Sequence, residues 1–599
     1  MAGEIEDRGG ALVHWLVAGQ FGLGARGKTL AMNRADFNEV LEKAGLKVEA
    51  TVRDPVGTGD TVSVTLEIDS LKKLTLKHVV SAVPTLKELA GKADAVAKLK
   101  DPTADSLKEI VGEGKLLDAM VALISPDPDV TPTDASAAKS ASGDTDAMFE
   151  KAAVQEKTAK SAISAFVKAT SSAKKKKKPA ARQLRDLVET TVWGMAADLL
   201  STPEVQAVET AWRGLRFLVM QCPKDAKMDV VLLETDAENV LTDLAGRERE
   251  DDIDEPECIF VPHDFTSTAP LAELADFAEQ ELIPIVAGAD ASLFGCESAA
   301  GVPDAFEALE HVRKDDVPEW ASAWDELRMR ESTRWLAAVT NRVALHGEGA
   351  GAAARTSFGS GVWAVAAMLA RSYKATGGFA QIFGKAGSVS APATHTIKEG
   401  RYADTATPTE AFYAIAPSEL LAKNGVLALG SAKNSDAIVL LKSVCVRGAK
   451  DAVPLPAQIL TGRIVRFATW VKPQLPESCN SATANDLYTA AASVFLFPGQ
   501  EEAAHVRAAV TNIEGEAHVV VHSRANPRVA SIPFEITFPL PLNWAVPAPT
   551  EDDSESAAAQ PDAGAAAKVE DAPPAKDGGA HLAGGSVGFD AGILDEKKD

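Results

Sequence analysis

The spacing of apolar residues changes period several times along this 599-residue chain, and each change marks an expected element. Residues 11–19 (ALVHWLVAG) form an almost unbroken apolar run of strand length, as expected of a strand covered on both faces. Residues 34–45 read as a short helix stopped by glycine. TVSVTLEI, at 61–68, alternates with period two and predicts a strand with one buried face. After Pro84, the residues Leu86, Leu89, Val96 and Leu99 recur at helical spacing, with the proline placed where a first turn tolerates it. Leu107, Ile110, Leu117, Val121 and Ile124 predict a further helix over 106–124.

A second long stretch opens with two amphipathic helices, 183–200 and 203–219, the latter with Val205, Val208, Trp212, Leu215 and Leu218 inside. Strand signals at 228–233, 258–261, 283–287, 425–429 and 437–446 then alternate with helical stretches, which argues for an α/β core. Residues 517–523 and 530–538 predict a hairpin around ANPR. The expected fold class is α/β with mixed α+β character, a mixed sheet flanked by helices in a multidomain chain.

Composition divides the chain. Residues 1–125 form one predicted domain and 183–545 a second. The intervening 126–182 is a linker rich in Pro, Ser, Ala and Asp, and 546–599 is an acidic tail that cannot bury a core. The linker holds an amphipathic stretch, 147–168, with Phe149, Ile163 and Phe166 in helical register, which reads as a docking element or a spacer. Lys174 to Lys178 follow it as a solvated run.

Formal net charge is −24; residues 551–599 hold 12 acidic residues and 4 lysines, so they account for −8 of it. Such a chain is a poor partner for nucleic acid. No apolar run approaches the roughly 20 residues needed to cross a bilayer. The opening MAGEIEDRGG lacks the basic and apolar regions of a secretory signal, so the expected location is the cytoplasm. The five cysteines form no C-x-x-C pair and read as small core residues. His518 and His522 sit in a strand-like VVVH context, so neither a metal nor a cofactor is expected.

One segment argues for chemistry. Residues 22–29, GLGARGKT, match G-x-x-x-x-G-K-[ST], with Gly22, Gly27, Lys28 and Thr29 at the phosphate-binding positions. A working loop of this kind needs a helix beginning at the lysine, so that its N-terminus faces the phosphates. Here the helix signal begins only near Arg34, after a TLAM stretch of extended character. The competing reading is a glycine-rich turn between two strands.

Several segments, taken in order, resemble the type VI secretion contractile sheath, with a small subunit fused to a large one. VVSAVPTLKELAGKADAVAKL (79–99), after VSVTLEIDSLKKL, resembles the small subunit, although Leu74 and Thr75 stand where an aromatic is usual. PEVQAVETAWRGLRFLV (203–219) is similar to a signature helix of the large subunit, with Glu209, Trp212, Arg213, Gly214 and Leu215 as its core. The likeness continues through ASLFG (291–295), ESTRWLAAVTNRVAL (331–345), GSGVWAVAAMLARSY (359–373) and 408–446.

The resemblance implies a non-enzymatic protomer that stacks helically with copies of itself around a hexameric inner tube and contracts upon a baseplate. It further implies inter-protomer strand exchange, for which Ile532, Phe534, Ile536 and Phe538 are candidates. A separate AAA+ ATPase would disassemble the polymer by gripping a helix carrying Phe149, Ile163 and Phe166. Two alternatives stay open at this level: a P-loop NTPase with sheath-like domains, and a sheath-related adaptor that does not polymerise.

Overall fold

The computed structural model describes residues 13–53, 61–124, 180–224, 227–248, 253–313, 316–448, 452–498, 500 and 502–544. Up to residue 359 its strands are β1 (Val13–Gly19), β2 (Thr29–Met32), β3 (Leu46–Arg53), β4 (Thr61–Ile68), β5 (Met228–Glu234), β6 (Cys258–Phe265), β7 (Ile285–Ala289), β8 (Leu336–Thr340), β9 (Val343–Glu348) and β10 (Arg355–Gly359). Seven strands make the main sheet, in the order β2, β5, β1, β6, β7, β8 and Val426–Ala428. All pairs in it are parallel except β2 with β5, so the sheet is mixed at one edge only.

The run 13–19 is apolar throughout because β1 lies deep in this sheet. It pairs with β5 from Val13↔Met228 to Gly19↔Glu234, and with β6 from Trp15↔Cys258 to Val17↔Phe260. Alternate side chains point to opposite faces. Trp15, Val17, Cys258, Phe260, Val286 and Val339 join one core, while Leu16, Ala18, Ile259, Val261, Ile285 and Ala338 join the other. The segment read as a separate N-terminal domain therefore supplies a central strand to the sheet built by the later segment.

The first core continues into the N-terminal helices. Leu86, Leu89, Ala93 and Val96 of the helix Pro84–Ala97 share it with Leu184, Leu187, Val188 and Val192 of Ala180–Leu200. The hairpin of β3 and β4, in register from Leu46↔Ile68 to Arg53↔Thr61, packs on the same side. The opposite face is covered by Thr268–Glu281, Val302–Leu309 and Glu319–Met329.

Three local expectations change. The helix expected over 106–124 is two helices, Ala104–Val111 and Lys115–Ile124, because Gly112 (φ 84°) and Gly114 (φ 150°) take backbone angles that a helix cannot use. The strand expected over 437–446 is paired only at Ala437–Val439. The C-terminal hairpin gains a third strand. Ala504–Ile513 pairs with Glu516–Ala525 through a tight turn at Glu514 and Gly515, both at positive φ, and Glu516–Ala525 pairs in turn with Phe534–Pro541. This terminal sheet and the helices Leu455–Val471 and Ser481–Ala491 enclose a third core.

That third body is pinned to the main sheet by buried charge. Glu257, at the foot of β6, accepts from Arg463 Nε at 3.0 Å and from Arg466 Nη2 at 3.1 Å. Arg466 also donates to the carbonyls of Leu282 (2.7 Å) and Pro256 (3.1 Å). Gly462 lets the helix approach this point, since a Cβ there would overlap the Leu282 carbonyl.

Because β1 sits between β5 and β6, residues 180–544 expressed without residues 1–124 leave a gap in the sheet and an uncovered core. The expected outcome is insoluble or unfolded protein, with solubility restored on co-expression of 1–124. Circular dichroism and co-purification read it.

Candidate functional site

Helix Pro203–Gln221 begins with proline in its first turn and turns its signature residues toward other parts of the chain. Glu209 is completely buried. Helical spacing brings Arg213 beside it, with Nε donating to Glu209 Oε1 at 2.7 Å. From the hairpin of β9 and β10, Arg355 grips the same carboxylate with both terminal nitrogens, each at 2.8 Å, and the Ser357 hydroxyl adds a bond of 2.9 Å. Arg355 Nε reaches Glu348 Oε1, its direct cross-strand partner, at 2.9 Å.

This cluster joins the two sequence segments. Arg213 Nη2 donates to the Leu74 carbonyl at 2.7 Å, and the Leu76 amide donates to Glu348 Oε2 at 3.0 Å. Leu74 and Leu76 belong to the small-subunit-like stretch, and the charged side chains come from the other. Burial works to raise the pKa of Glu348, yet His346, the Leu76 amide and Arg355 outweigh it and lower the value from 4.5 to about 2. Glu209 is likewise held below the ordinary carboxylate range: its burial acts in the raising direction, and Arg355 and Arg213 overcome it.

The remaining signature residues do steric work. Trp212 Nε1 donates to the Phe21 carbonyl at 2.8 Å, and its rings meet Phe21 and Phe37 edge-on. Gly214 lies against Trp363 of the helix Val362–Thr376, where any Cβ would overlap the indole. Leu215 is fully buried. All five residues thus serve contacts within the chain.

The glycine-rich match at 22–29 runs from strand to strand. Thr29 begins β2, antiparallel to β5, so no helix N-terminus stands at Lys28. Several amides at this turn already have internal partners: Phe21 and Leu23 donate to Glu234 Oε2 at 3.0 and 2.9 Å. Gly27 donates to the Glu234 carbonyl at 2.8 Å, and Lys28 Nζ to the Leu23 carbonyl at 3.3 Å. An internal carboxylate fills the cradle, and the glycines serve the turn, Gly22 at φ 75° and Gly27 at φ 78°.

At the carboxyl ends of the parallel strands, where α/β sheets commonly bind ligands, the polar groups bond to one another. Arg342 pairs with Asp264 (2.8 Å) and Asp290 (3.1 Å). Asn341, at φ 76°, donates to the carbonyls of Ala411 (2.8 Å) and Leu429 (2.9 Å). Among the described residues, no group of three or more His, Cys, Asp or Glu side chains is placed to hold a metal ion. His522 Nδ1 lies 2.9 Å from the Thr537 hydroxyl, and His518 Nδ1 lies 3.0 Å from the Glu516 carbonyl.

Two family models match the sequence. The type VI secretion system VipA model covers residues 24–116, and the EvpB/VipB tail sheath N-terminal domain covers 260–446. The chain joins a type VI sheath small subunit to a large one. The signature helix lies outside both matched spans, yet its Glu209 and Arg213 hold the two parts of the fusion together. No curated protein matches the sequence.

Among solved structures, the fusion is similar to a chain of the anti-feeding prophage baseplate, at 11% identity and TM-score 0.29 over 50% of this chain and 70% of that one. It is also similar to the sheath of the PVC extracellular contractile injection system in its contracted state (10%, 0.30, 58% and 81%). A third is a sheath tail protein from Listeria innocua (12%, 0.29, 51% and 60%).

The strand-exchange candidates fall on or beside the last strand: Phe534 is buried, Ile536 and Phe538 are half-buried, and Ile532 just precedes the strand. Phe149, Ile163 and Phe166 lie outside the described residues. Sequence reasoning missed Arg355 and Glu348. Their signal was an acid and a base flanking the Gly- and Ala-rich turn EGAGAAAR, a pattern that sets opposite charges across a hairpin.

Glu209→Gln leaves two arginines facing a neutral group in a buried site. Thermal or denaturant unfolding is expected to show a loss of about 3–5 kcal/mol, whereas Glu39→Gln, at an exposed helix surface, serves as a control expected to leave the unfolding midpoint nearly unchanged. Glu348, lowered when folded, contributes stability that is complete above its ordinary pKa of 4.5 and is lost as pH falls toward about 2. Unfolding midpoints measured across that window are therefore expected to fall less steeply with acid in Glu348→Gln than in the parent protein.

Proposed function

We propose that this fusion is the structural protomer of a contractile sheath, polymerising helically around an inner tube and contracting to propel that tube from the cell. The observation that carries the reading is the presence of both sheath-subunit segments, 24–116 and 260–446, in one chain. The placing of β1 inside the main sheet, and of Leu74 and Leu76 on the Glu209 cluster, supports a single rigid body with one-to-one stoichiometry. Covalent connection keeps that ratio through every cycle of use.

In this reading the partners are further copies of the chain, a hexameric tube protein and baseplate components, with a AAA+ ATPase to take the contracted polymer apart. The ATPase would grip the stretch carrying Phe149, Ile163 and Phe166. Copies are linked by strand exchange through Ile532, Phe534, Ile536 and Phe538, so that main-chain hydrogen bonds hold neighbours while side-chain surfaces slide. The protein works in the bacterial cytoplasm, tied to the envelope through its baseplate. Among the described residues, no helix is long and apolar enough to cross a membrane. The reading assigns no cofactor, no catalysis and no nucleic acid. Glu234 in the glycine-rich cradle speaks against the alternative of a nucleotide hydrolase.

Purified protein viewed by negative-stain microscopy is expected to form hollow tubules with toothed cross-sections. Lys28→Ala is expected to leave them unchanged and to show no loss of ATP turnover, there being none in the parent. A monodisperse monomer that hydrolyses ATP with Lys28 dependence overturns the sheath reading in favour of the hydrolase.

A further inference from the structure

A cleft of about 410 Å³ opens where the main-sheet body meets the third core, and its walls come from both. Arg328 stands in the last turn of the helix Glu319–Met329, and Lys423 and Gly425 precede the strand Val426–Ala428. The extended stretch after Val439 contributes Leu441, Lys442, Ser443 and Val444, then Arg447 and Gly448. From the third body come Val453 and Pro454, at the start of the helix Leu455–Val471, and Ser531, just before the last strand. A volume of this size is that of a small-molecule site.

The charge that lines the cleft is of one sign. Arg328, Lys423, Lys442 and Arg447 line it, and among the described residues no Asp or Glu does. In a chain of formal net charge −24, such a grouping is a local exception. The two arginines are fixed in place. Arg328 Nη1 pairs with Asp325 at 3.2 Å, and Nη2 donates to the Lys423 carbonyl at 3.2 Å. A Cβ at Gly425 or Gly448 would crowd its guanidinium, at 3.3 and 3.2 Å. Arg447 pairs with Glu331 at 2.9 Å and donates to the Arg330 carbonyl at 3.2 Å. The lysines are less committed. Lys423 Nζ lies 3.8 Å from Glu310, and exposed Lys442 makes no ion pair among the described residues.

The same space holds a buried donor and an apolar surface. Ser443 is only 5% exposed and lines the cleft, and its hydroxyl has no hydrogen-bond partner among the described residues. A buried hydroxyl in that state costs free energy that a bound acceptor returns. Phe383, 42% exposed, lines the cleft together with half-buried Leu441, Val444 and Val453. A bare inorganic anion would leave this apolar lining uncovered. An uncharged apolar molecule would leave the cations unanswered. The lining fits a molecule with an oxyanion at one end and an apolar body at the other.

We propose that this cleft binds a small organic anion, a carboxylate-like oxyanion carried on an aromatic or branched apolar body. Lys442 and Lys423 meet the oxyanion, Ser443 donates to it, and Phe383, Val444 and Val453 cover the body. Because the walls belong to two bodies of the fold, the bound molecule ties the third core to the main sheet. It stabilises the folded chain as its concentration rises above its dissociation constant. The proposal does not depend on the sheath reading.

Fluorescence titration of the full-length protein with anilinonaphthalene sulfonate, an aromatic body bearing one oxyanion, tests this. Saturable binding is expected, weakened at least about tenfold by Lys442→Glu or Lys423→Glu and also by Phe383→Ser, but not by Lys442→Arg. The three altered side chains are exposed and lie on separate segments, so the variants are expected to keep the parent's circular dichroism. The sulfonate is expected to raise the unfolding midpoint of the parent protein and not that of Lys442→Glu. Its uncharged counterpart, phenylnaphthylamine, is expected to respond to Phe383→Ser alone. Binding of the sulfonate that is absent, or indifferent to both charge reversals, or indifferent to Phe383→Ser, overturns the proposal. Tubule formation is read separately, so none of these outcomes touches the sheath reading.

Discussion

The carboxylate of Glu209 organises this molecule. It has no access to water, and it is held by two guanidinium groups and a hydroxyl drawn from a helix and a hairpin far apart in sequence. A buried carboxylate is tolerated only when its lone pairs are met, so this one fixes the relative position of everything that meets it. The arginines then use their remaining donors on Leu74, and Glu348 uses its second oxygen on Leu76. The small-subunit stretch has almost no charge of its own in this interface. It is held through its main chain, which makes the junction indifferent to most side-chain changes at residues 74–76 and sensitive to changes in backbone path.

The same economy runs through the rest of the fold. Trp212 bonds the Phe21 carbonyl, Arg466 bonds those of Pro256 and Leu282, and Asn341 bonds those of Ala411 and Leu429. Each is a buried side chain satisfying backbone groups where a regular ladder stops. Three cores are thereby joined at points where polar geometry is demanding and apolar packing alone would permit sliding. Such junctions hold the three cores together as one body.

How much of this was legible in the sequence depends on the range of the forces involved. Local patterns announced β1, β4 and the helices Pro84–Ala97 and Pro203–Gln221, because period and proline placement act within a few residues. They gave the central position of β1 only indirectly, through its apolarity on both faces, and gave no hint that its neighbours are β5 and β6, some two hundred residues on. The Glu209 cluster was visible as a motif, but its partners were not, since Arg355 and Glu348 announce themselves only across a hairpin. GLGARGKT shows the opposite failure. Its residues fit a phosphate loop, and the group that excludes one, Glu234, stands at the end of a distant strand. The third strand of the terminal sheet, Ala504–Ile513, had a readable alternation of valine and alanine with polar residues, hidden by its many alanines.

A rigid interior puts particular weight on the edges. A parallel sheet with covered faces offers little to a neighbour, and here one edge strand of the main sheet, Val426–Ala428, is itself buried. The terminal sheet is different in kind: it is antiparallel throughout. Exposed strand edges invite uncontrolled association, and proteins blunt them with proline, charge or cover. All three devices occur here, and they are unevenly distributed. Cover lies on one edge, where Ser481, Asn485 and Thr489 bond the main chain of Ala504–Ile513, while proline lies on the other but spares Glu535 and Thr537. Leaving only a two-donor gap between prolines denies the long, slippery pairing that leads to amyloid-like growth.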